Sequence, residues 1–146
     1  MQLNTSRFGA ITIEADDILL FPHGLIGFEE DRHWVLLADQ DNPSVGWLQS
    51  LRSEELALPV VSPRKFCPDY QIRVFRSQIT NLELGELDQA YILTVVNKSE
   101  GQLTTNLRAP VVINLDRRIG RQVITNDDQS TQAVLTGPIG LFRKSA

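Results

Sequence analysis

The 146-residue sequence contains one cysteine, and this scarcity excludes several kinds of protein. Cys67 has no partner for an intramolecular disulfide, and no C-x-x-C pair or Cys/His cluster indicates structural zinc. A chain of this size buries enough surface on folding to need neither. The cysteine usage therefore favours a reducing, cytoplasmic setting.

Long apolar runs are also missing. The first seven residues hold no apolar stretch of signal-peptide length, and nowhere do about 18 uncharged apolar residues follow one another. We therefore expect a protein that is neither secreted nor membrane-spanning.

Basic residues are scarce in the first part of the chain. Residues 1–60 hold 10 acidic and 3 basic residues, residues 61–146 hold 8 and 11, and the formal net charge is −4. This balance disfavours binding to a phosphate backbone, where several lysines and arginines must replace condensed counterions. It leaves two interpretations open: a basic protein partner, or solvated surface charge with no partner.

The residue sets that carry catalysis or hold metals are not found either. The only histidines are His23 and His33, and no serine lies in a G-x-S-x-G elbow. Residues 39–41 begin like a calcium loop, but serines occupy the positions of its glycine and its last glutamate. We predict no catalytic residue, no metal site and no cofactor.

Short strand patterns are what the sequence does contain. Alternation with period two, or short apolar β-branched and aromatic runs, mark strands at 11–14, 34–37, 71–74, 91–96 and 111–115. Thr80 and Glu83 have capping-box spacing and predict one short helix around 80–84. The fold class that follows is all-β: a single small antiparallel β-barrel-like domain over residues 1–135 with one short helix. Residues 136–146 are predicted to form a mobile C-terminal tail.

A Pro/Gly-rich segment holds four large apolar residues in eight positions: Phe21, Leu25, Ile26 and Phe28. It lacks the Lys and Ser/Thr of a phosphate-binding loop, so nucleotide binding is disfavoured. These side chains must either plug the barrel or form a contact surface, and we favour the plug.

This segment, Phe-Pro-His-Gly-Leu-Ile-Gly-Phe-Glu over residues 21–29, resembles the F-P-x-G-L-x-G-F-E signature of the flagellar assembly factor FliW family. Three further blocks occur in the family's order, and they are Phe8-Gly9, residues 47–50 with 56–60, and residues 105–114 with 120–123. The resemblance spans about residues 7–125. The sequence departs from the family at Leu58, at Ser62 and in lacking a tyrosine after the 120–123 block.

The resemblance implies a non-enzymatic, cytoplasmic flagellar assembly factor with two alternative protein partners. These are flagellin and the RNA-binding translational repressor CsrA. Antagonism of CsrA by an allosteric route would couple flagellin synthesis to export. This route requires the assembly factor to bind two states of CsrA with different affinities. Direct contact with nucleic acid or membrane is not implied, and the oligomeric state stays open.

Two sets of candidate site residues follow. The partner-binding candidates are Phe21, Pro22, Gly24, Leu25, Gly27, Phe28, Asn106, Leu107, Pro110 and Asn114. The electrostatic candidates, expected to steer a basic partner, are Glu14, Asp16, Asp17, Glu29, Glu30 and Asp31.

Two alternatives come from other classes. A small β-barrel hydrolase or isomerase would use Cys67, Asp69 or a histidine, and it needs a paired acid and base that the sequence does not offer. A single-stranded nucleic-acid-binding barrel needs aromatics among basic residues, but the arginine cluster at 117–121 has none beside it.

Overall fold

The computed structural model describes residues 1–84 and 90–135. The predicted tail at 136–146 lies outside the described residues. Eleven strands occur in the described part, and they are β1 (Gln2–Thr5), β2 (Gly9–Thr12), β3 (Ile18–Leu20), β4 (His33–Ala38), β5 (Val45–Ser50), β6 (Ala57–Val61), β7 (Ala90–Ser99), β8 (Gln102–Thr105), β9 (Val111–Asn114), β10 (Ile119–Gln122) and β11 (Ala133–Val134). The described part also holds one short α-helix, α1 (Arg76–Ile79), and 3-10 turns at Ala15–Asp17, Pro63–Lys65 and Thr80–Leu82.

Seven strands close into a barrel in the order β7, β6, β5, β4, β3, β10, β9 and back to β7. All neighbours in the ring pair antiparallel except β3 and β10, which pair in parallel at Leu20 and Ile119. Closure removes the free edges that an open sheet exposes. The structure therefore confirms the predicted all-β barrel and adds one parallel seam.

Two smaller pieces attach to this barrel. The end of β7 leaves the ring to pair with β8, which in turn pairs with β11. β1 and β2 form a separate hairpin, whose turn docks on the outer face of β5. There Phe8 makes an edge-to-face contact with Trp47, and the Arg7 guanidinium lies 4.0 Å from the ring centroid of Trp47.

Alternation along the strands divides the apolar residues between the barrel interior and its outer faces. Trp34, Leu48 and Ile113 point inward, and all three are fully buried. Their neighbours in sequence point outward and form two further clusters, one around Trp47 beneath the β1–β2 hairpin and one around Val112 beneath residues 72–84. Almost every apolar residue of the strands is thus covered on one side or the other.

Most of the predicted elements are found. The runs at 34–37, 91–96 and 111–115 are β4, β7 and β9, and the run at 11–14 overlaps the end of β2. The prediction of a strand at 71–74 was wrong. Its side chains do alternate in burial, but the Arg73 N–H donates to the Thr125 hydroxyl, 3.1 Å away, instead of to a strand carbonyl.

The helix begins earlier than the capping-box spacing predicted. α1 begins at Arg76, and the Thr80 hydroxyl donates to the Arg76 carbonyl (2.7 Å) at the helix end instead of capping a helix start. Glu83 then takes a left-handed conformation with φ of 55° and ends the helical segment. Among the described residues, no helix is long and apolar enough to cross a membrane.

Candidate functional site

The signature loop, residues 21–29, joins β3 to β4 and inserts into the barrel. Phe21 is fully buried and Leu25 is 2% exposed, and both contact the interior cluster. A methyl group on Gly120 of β10 would lie 2.6 Å from the Phe21 ring, so the ring fills the space that this glycine leaves. The structure therefore favours the plug for Phe21 and Leu25, whereas Ile26, which the same interpretation included, is exposed.

The two glycines of the loop have different reasons to be glycine. Both have positive φ, +64° at Gly24 and +90° at Gly27. A Cβ on Gly24 would lie 2.6 Å from the backbone of Phe28 and Glu29, whereas one on Gly27 would meet nothing within 4 Å. Position 24 requires glycine because of both its positive φ and the close approach of the backbone, whereas position 27 requires glycine only because of its positive φ.

The loop exposes its tip, together with His23 and Glu29. Ile26 is 55% exposed, and its backbone N–H donates to the Gln122 side-chain oxygen of β10 at 2.8 Å. The Gly27 N–H donates to the Glu29 carboxylate at 2.6 Å. The shape of the tip is therefore held by two defined hydrogen bonds rather than by burial.

The second predicted stretch, around 106–114, has a mainly structural role. The Asn114 amide donates to the Leu82 carbonyl at 2.8 Å, and its oxygen accepts from the backbone of Asp116. The Leu107 carbonyl accepts a hydrogen bond of 2.6 Å from the Tyr70 hydroxyl. Burial raises the pKa of the Tyr70 phenol above its ordinary value, so the hydroxyl stays protonated and donates.

Burial corrects the list of partner-binding candidates. Six of the ten are buried, so their burial does not favour direct contact with a partner: Phe21, Gly24, Leu25, Leu107, Pro110 and Asn114. The other four are half-buried or exposed, and their role in partner contact stays a prediction: Pro22, Gly27, Phe28 and Asn106.

Five of the six electrostatic candidates are exposed, and Asp31 is the exception. Asp31 is 8% exposed, and its carboxylate accepts hydrogen bonds from Ser50 (2.6 Å) and Ser53 (3.0 Å). Hydrogen bonds of this kind satisfy a carboxylate that is removed from water. Asp31 therefore ties the loop after β3 to the end of β5, and the prediction that it steers a partner was wrong.

The exposed acids form two groups instead of one. Residues 14–17 precede β3 and residues 29–30 follow it, so the two groups lie at opposite ends of that strand. Asp16 pairs with Arg118 at 3.0 Å, and Glu30 pairs with Arg52 at 3.1 Å. Each group therefore keeps uncompensated carboxylates beside one exposed ion pair.

Nothing in the described part of the chain assembles catalytic chemistry. No group of three or more His, Cys, Asp or Glu there lies close enough to hold a metal. An open apolar groove of about 440 Å³ lies at the end of the barrel opposite the signature loop, lined by Leu36, Gly46 and Val60. Lys65 and Tyr91 are its only titratable residues, so the groove lacks the paired acid and base that hydrolysis needs.

Sequence reasoning missed two exposed apolar residues, Phe75 (65%) and Ile124 (44%). Each lies just outside a predicted or observed strand, where alternation no longer indicates which way a side chain points. The sequence did hold one indication of a surface position, since Phe75 lies between Arg73 and Arg76.

Comparison with known proteins adds the family. The model of the FliW protein family matches residues 2–135. A flagellar assembly factor FliW of Clostridium tetani is 37% identical over 131 residues, which cover 88% of this chain and 90% of that protein. One of Bdellovibrio bacteriovorus is 35% identical over 130 residues, which cover 88% of this chain and 74% of that protein. A crystal structure of the flagellar assembly factor FliW superimposes with a TM-score of 0.84 at 31% identity, covering 92% of this chain and 96% of that one.

Proposed function

The chain belongs to the FliW family of flagellar assembly factors, and from this premise we propose that it is a cytoplasmic regulator that binds either flagellin or the translational repressor CsrA. The observation that carries the proposal is the extent of the match, which includes the whole barrel and the signature loop. Residues 1–135 act as one domain in this proposal, and the protein catalyses no reaction.

The proposed mechanism is a switch between partners. While flagellin accumulates, it holds the protein, and free CsrA represses flagellin synthesis. When flagellin is exported, the released protein binds CsrA and weakens its grip on RNA. An allosteric antagonist must bind the RNA-free state of CsrA more tightly than the RNA-bound state, and RNA must then weaken its binding by the same factor.

The charge distribution supports a basic partner for part of this surface. A repressor that binds RNA is basic where the RNA lies, and the exposed acids at residues 14–17 and 29–30 are complementary to such a partner. A carboxylate surface held near the RNA groove would also repel phosphate.

The experiment that tests the proposal is a calorimetric titration of the protein against the host's flagellin and, separately, against its CsrA. Flagellin is then added to the preformed complex with CsrA. We expect both partners to bind and flagellin to displace CsrA. If neither binds at concentrations of about 50 μM, well above the range of specific regulatory complexes, the family match describes a fold alone and the proposal fails.

A second measurement tests the allosteric step. The affinity of CsrA for flagellin leader RNA is measured with and without saturating amounts of the protein. Allosteric antagonism predicts a finite, saturating loss of RNA affinity, whereas direct competition predicts a loss that keeps growing with concentration.

A further inference from the structure

Three exposed apolar residues form a surface that the proposed function leaves unused. Phe75 is 65% exposed, Ile26 is 55% exposed and Ile124 is 44% exposed. We call them the Phe75 surface. Single exposed apolar residues are ordinary, but neighbouring ones are a feature of interaction sites.

Hydrogen bonds bring Ile124 and Ile26 together. Pairing between β9 and β10 continues past both strands in the same register, because the Val123 N–H donates to the Pro110 carbonyl and the Thr125 N–H to the Arg108 carbonyl, each at 2.9 Å. Side chains alternate along this extension, so Ile124 shares a face with Gln122. The Gln122 side chain in turn accepts the N–H of Ile26.

Phe75 is held beside Ile124 by a second glutamine. The Gln78 side-chain oxygen accepts from the Phe75 N–H at 3.1 Å, and its amide donates to the Ile124 carbonyl at 3.5 Å. Arg121 of β10 also donates to the Gln78 carbonyl at 3.1 Å. The backbone beneath the Phe75 surface is therefore fixed, which lowers the entropy that binding would cost.

Arginines surround the Phe75 surface. The four are Arg73, Arg76, Arg108 and Arg121. Arg73 lies 3.6 Å from Asp127, while Arg76 and Arg108 form no ion pair with any described residue. The acids beside these residues include Asp127, Asp128 and Glu29, which the four arginines outnumber in a chain of net charge −4.

We propose that the Phe75 surface binds an acidic, amphipathic segment of a partner protein. Its apolar side chains lie on Phe75, Ile124 and Ile26, and its carboxylates meet the surrounding arginines. Arginine forms paired hydrogen bonds with carboxylates, and aromatic residues and arginine carry much of the binding energy of protein interfaces. The inference rests on the proposed function only in taking the occupant to be a protein.

RNA fits the same surface less well. Binding of single strands needs several aromatic rings on which successive bases stack, and Phe75 is the one aromatic ring of this surface. An occupant with carboxylates also has the opposite charge to the basic partner that would bind the acids at residues 14–17 and 29–30. The chain therefore presents surfaces for two partners of opposite charge.

The test uses the full chain and a fluorescent peptide of about 18 residues, with leucines at helical spacing and glutamates elsewhere. Anisotropy measures its binding to the wild type, to Phe75→Ser and to the double variant Arg76→Glu with Arg108→Glu. We expect each variant to weaken binding about tenfold or more, with the wild-type affinity falling as salt rises.

Controls lie elsewhere on the barrel. Leu115→Ser changes a residue that is 45% exposed but follows the opposite end of β9, and Lys98→Glu reverses a charge on the β7–β8 hairpin. Both should bind the peptide like the wild type. The same peptide with lysine in place of glutamate should bind much more weakly, as should an oligouridylate. Thermal midpoints verify that all variants are folded.

Three results would overturn the inference: no binding of the acidic peptide to the wild type, equal binding by the Phe75-surface variants and the wild type, or binding of the lysine peptide or the oligouridylate as tight as that of the acidic peptide. Titration of the same variants with the host's flagellin and CsrA separates this inference from the proposed function. If the wild type binds both partners but not the peptide, the inference fails and the proposed function stands. If the peptide binds as expected but neither partner does, the proposed function fails and the surface stands.

Discussion

Gly24 and Gly27 have the same backbone requirement but different surroundings. A methyl group at Gly24 meets the backbone of Phe28 and Glu29 at 2.6 Å, and one at Gly27 meets open space. We expect Gly27→Ala to lower the free energy of unfolding by about 1 kcal/mol through backbone strain alone, and Gly24→Ala to lower it by about 3 kcal/mol or more. Urea denaturation measures both. Equal losses would show that the close approach does not constrain the loop.

Asp39 links the pH dependence of stability to the docking of the N-terminal hairpin. The Trp47 indole N–H donates to its carboxylate at 2.9 Å, and this hydrogen bond holds the pKa of Asp39 below its ordinary value. A carboxyl group whose pKa is lowered by folding stabilises the protein when the pH is above the pKa of the unfolded chain. This contribution is lost as the pH falls through the lowered pKa of the folded state.

Asp39→Asn is therefore expected to lower the thermal midpoint at pH 7. The gap from the wild type should begin to shrink as the pH falls below about 4, and it should close only below the lowered pKa of Asp39, where both chains carry an uncharged side chain at this position. Asp41→Asn, on an exposed neighbour, is the control and should move the midpoint little at any pH. A gap that stays constant in acid would exclude the linkage.

Which residues could be predicted from the sequence depends on how local their environment is. Phe21 and Leu25 were predicted as core because large apolar side chains in a Pro/Gly-rich loop have few other places to go. Asp31 was mispredicted because it follows Glu29 and Glu30 in an acidic run, and its burial is decided by serines 50 and 53 from another part of the chain.

At the scale of elements, the apolar strands β4, β7 and β9 were predicted, whereas the apolar strands β3, β5 and β6 and the polar strands were not. β4 and β7 contain enough β-branched and aromatic residues to be recognised. β1, β8 and β10 have the sequences QLNT, QLTT and IGRQ, which carry no clear alternation. Pairing with neighbouring strands makes them strands, and pairing between distant segments is not visible in a single sequence.

Tyr70 is one of the residues that hold the segment between β6 and α1 to the barrel, and its hydroxyl donates to the buried Leu107 carbonyl. Tyr70→Phe removes the donor and leaves that carbonyl without its hydrogen bond. We expect the free energy of unfolding to fall by about 1–3 kcal/mol, measured by urea denaturation at pH 7. Tyr91→Phe, which changes a 39% exposed tyrosine, should have almost no effect. If both variants lose the same stability, the hydrogen bond contributes little.

At the scale of the whole molecule, the exposed acids give a kinetic test of the proposed binding to CsrA. If they steer a basic partner, the association rate falls as salt rises from low to physiological strength, while the dissociation rate changes less. Glu29→Gln with Glu30→Gln is compared with Asp16→Asn with Asp17→Asn in stopped-flow kinetics. Substitution of the pair that faces CsrA should slow association, and the variant of the other pair is the matched control. An association rate insensitive to salt would exclude steering.

The parallel seam between β3 and β10 joins Leu20 near the beginning of the chain to Ile119 near its end. A barrel closed in this way forms its seam only after nearly all of it has been synthesised. Until Gly120 is available, one wall of the space around the Phe21 ring is missing. We expect a fragment of residues 1–118 to be cut rapidly by protease, whereas residues 1–135 resist; equal resistance would contradict this.

Incomplete chains of this design are therefore poor binders and good substrates for degradation. This matters for a protein that is proposed to be held by free flagellin. Translation that stops early adds nothing to the pool of receptors, so the number of functional molecules follows the number of finished ones.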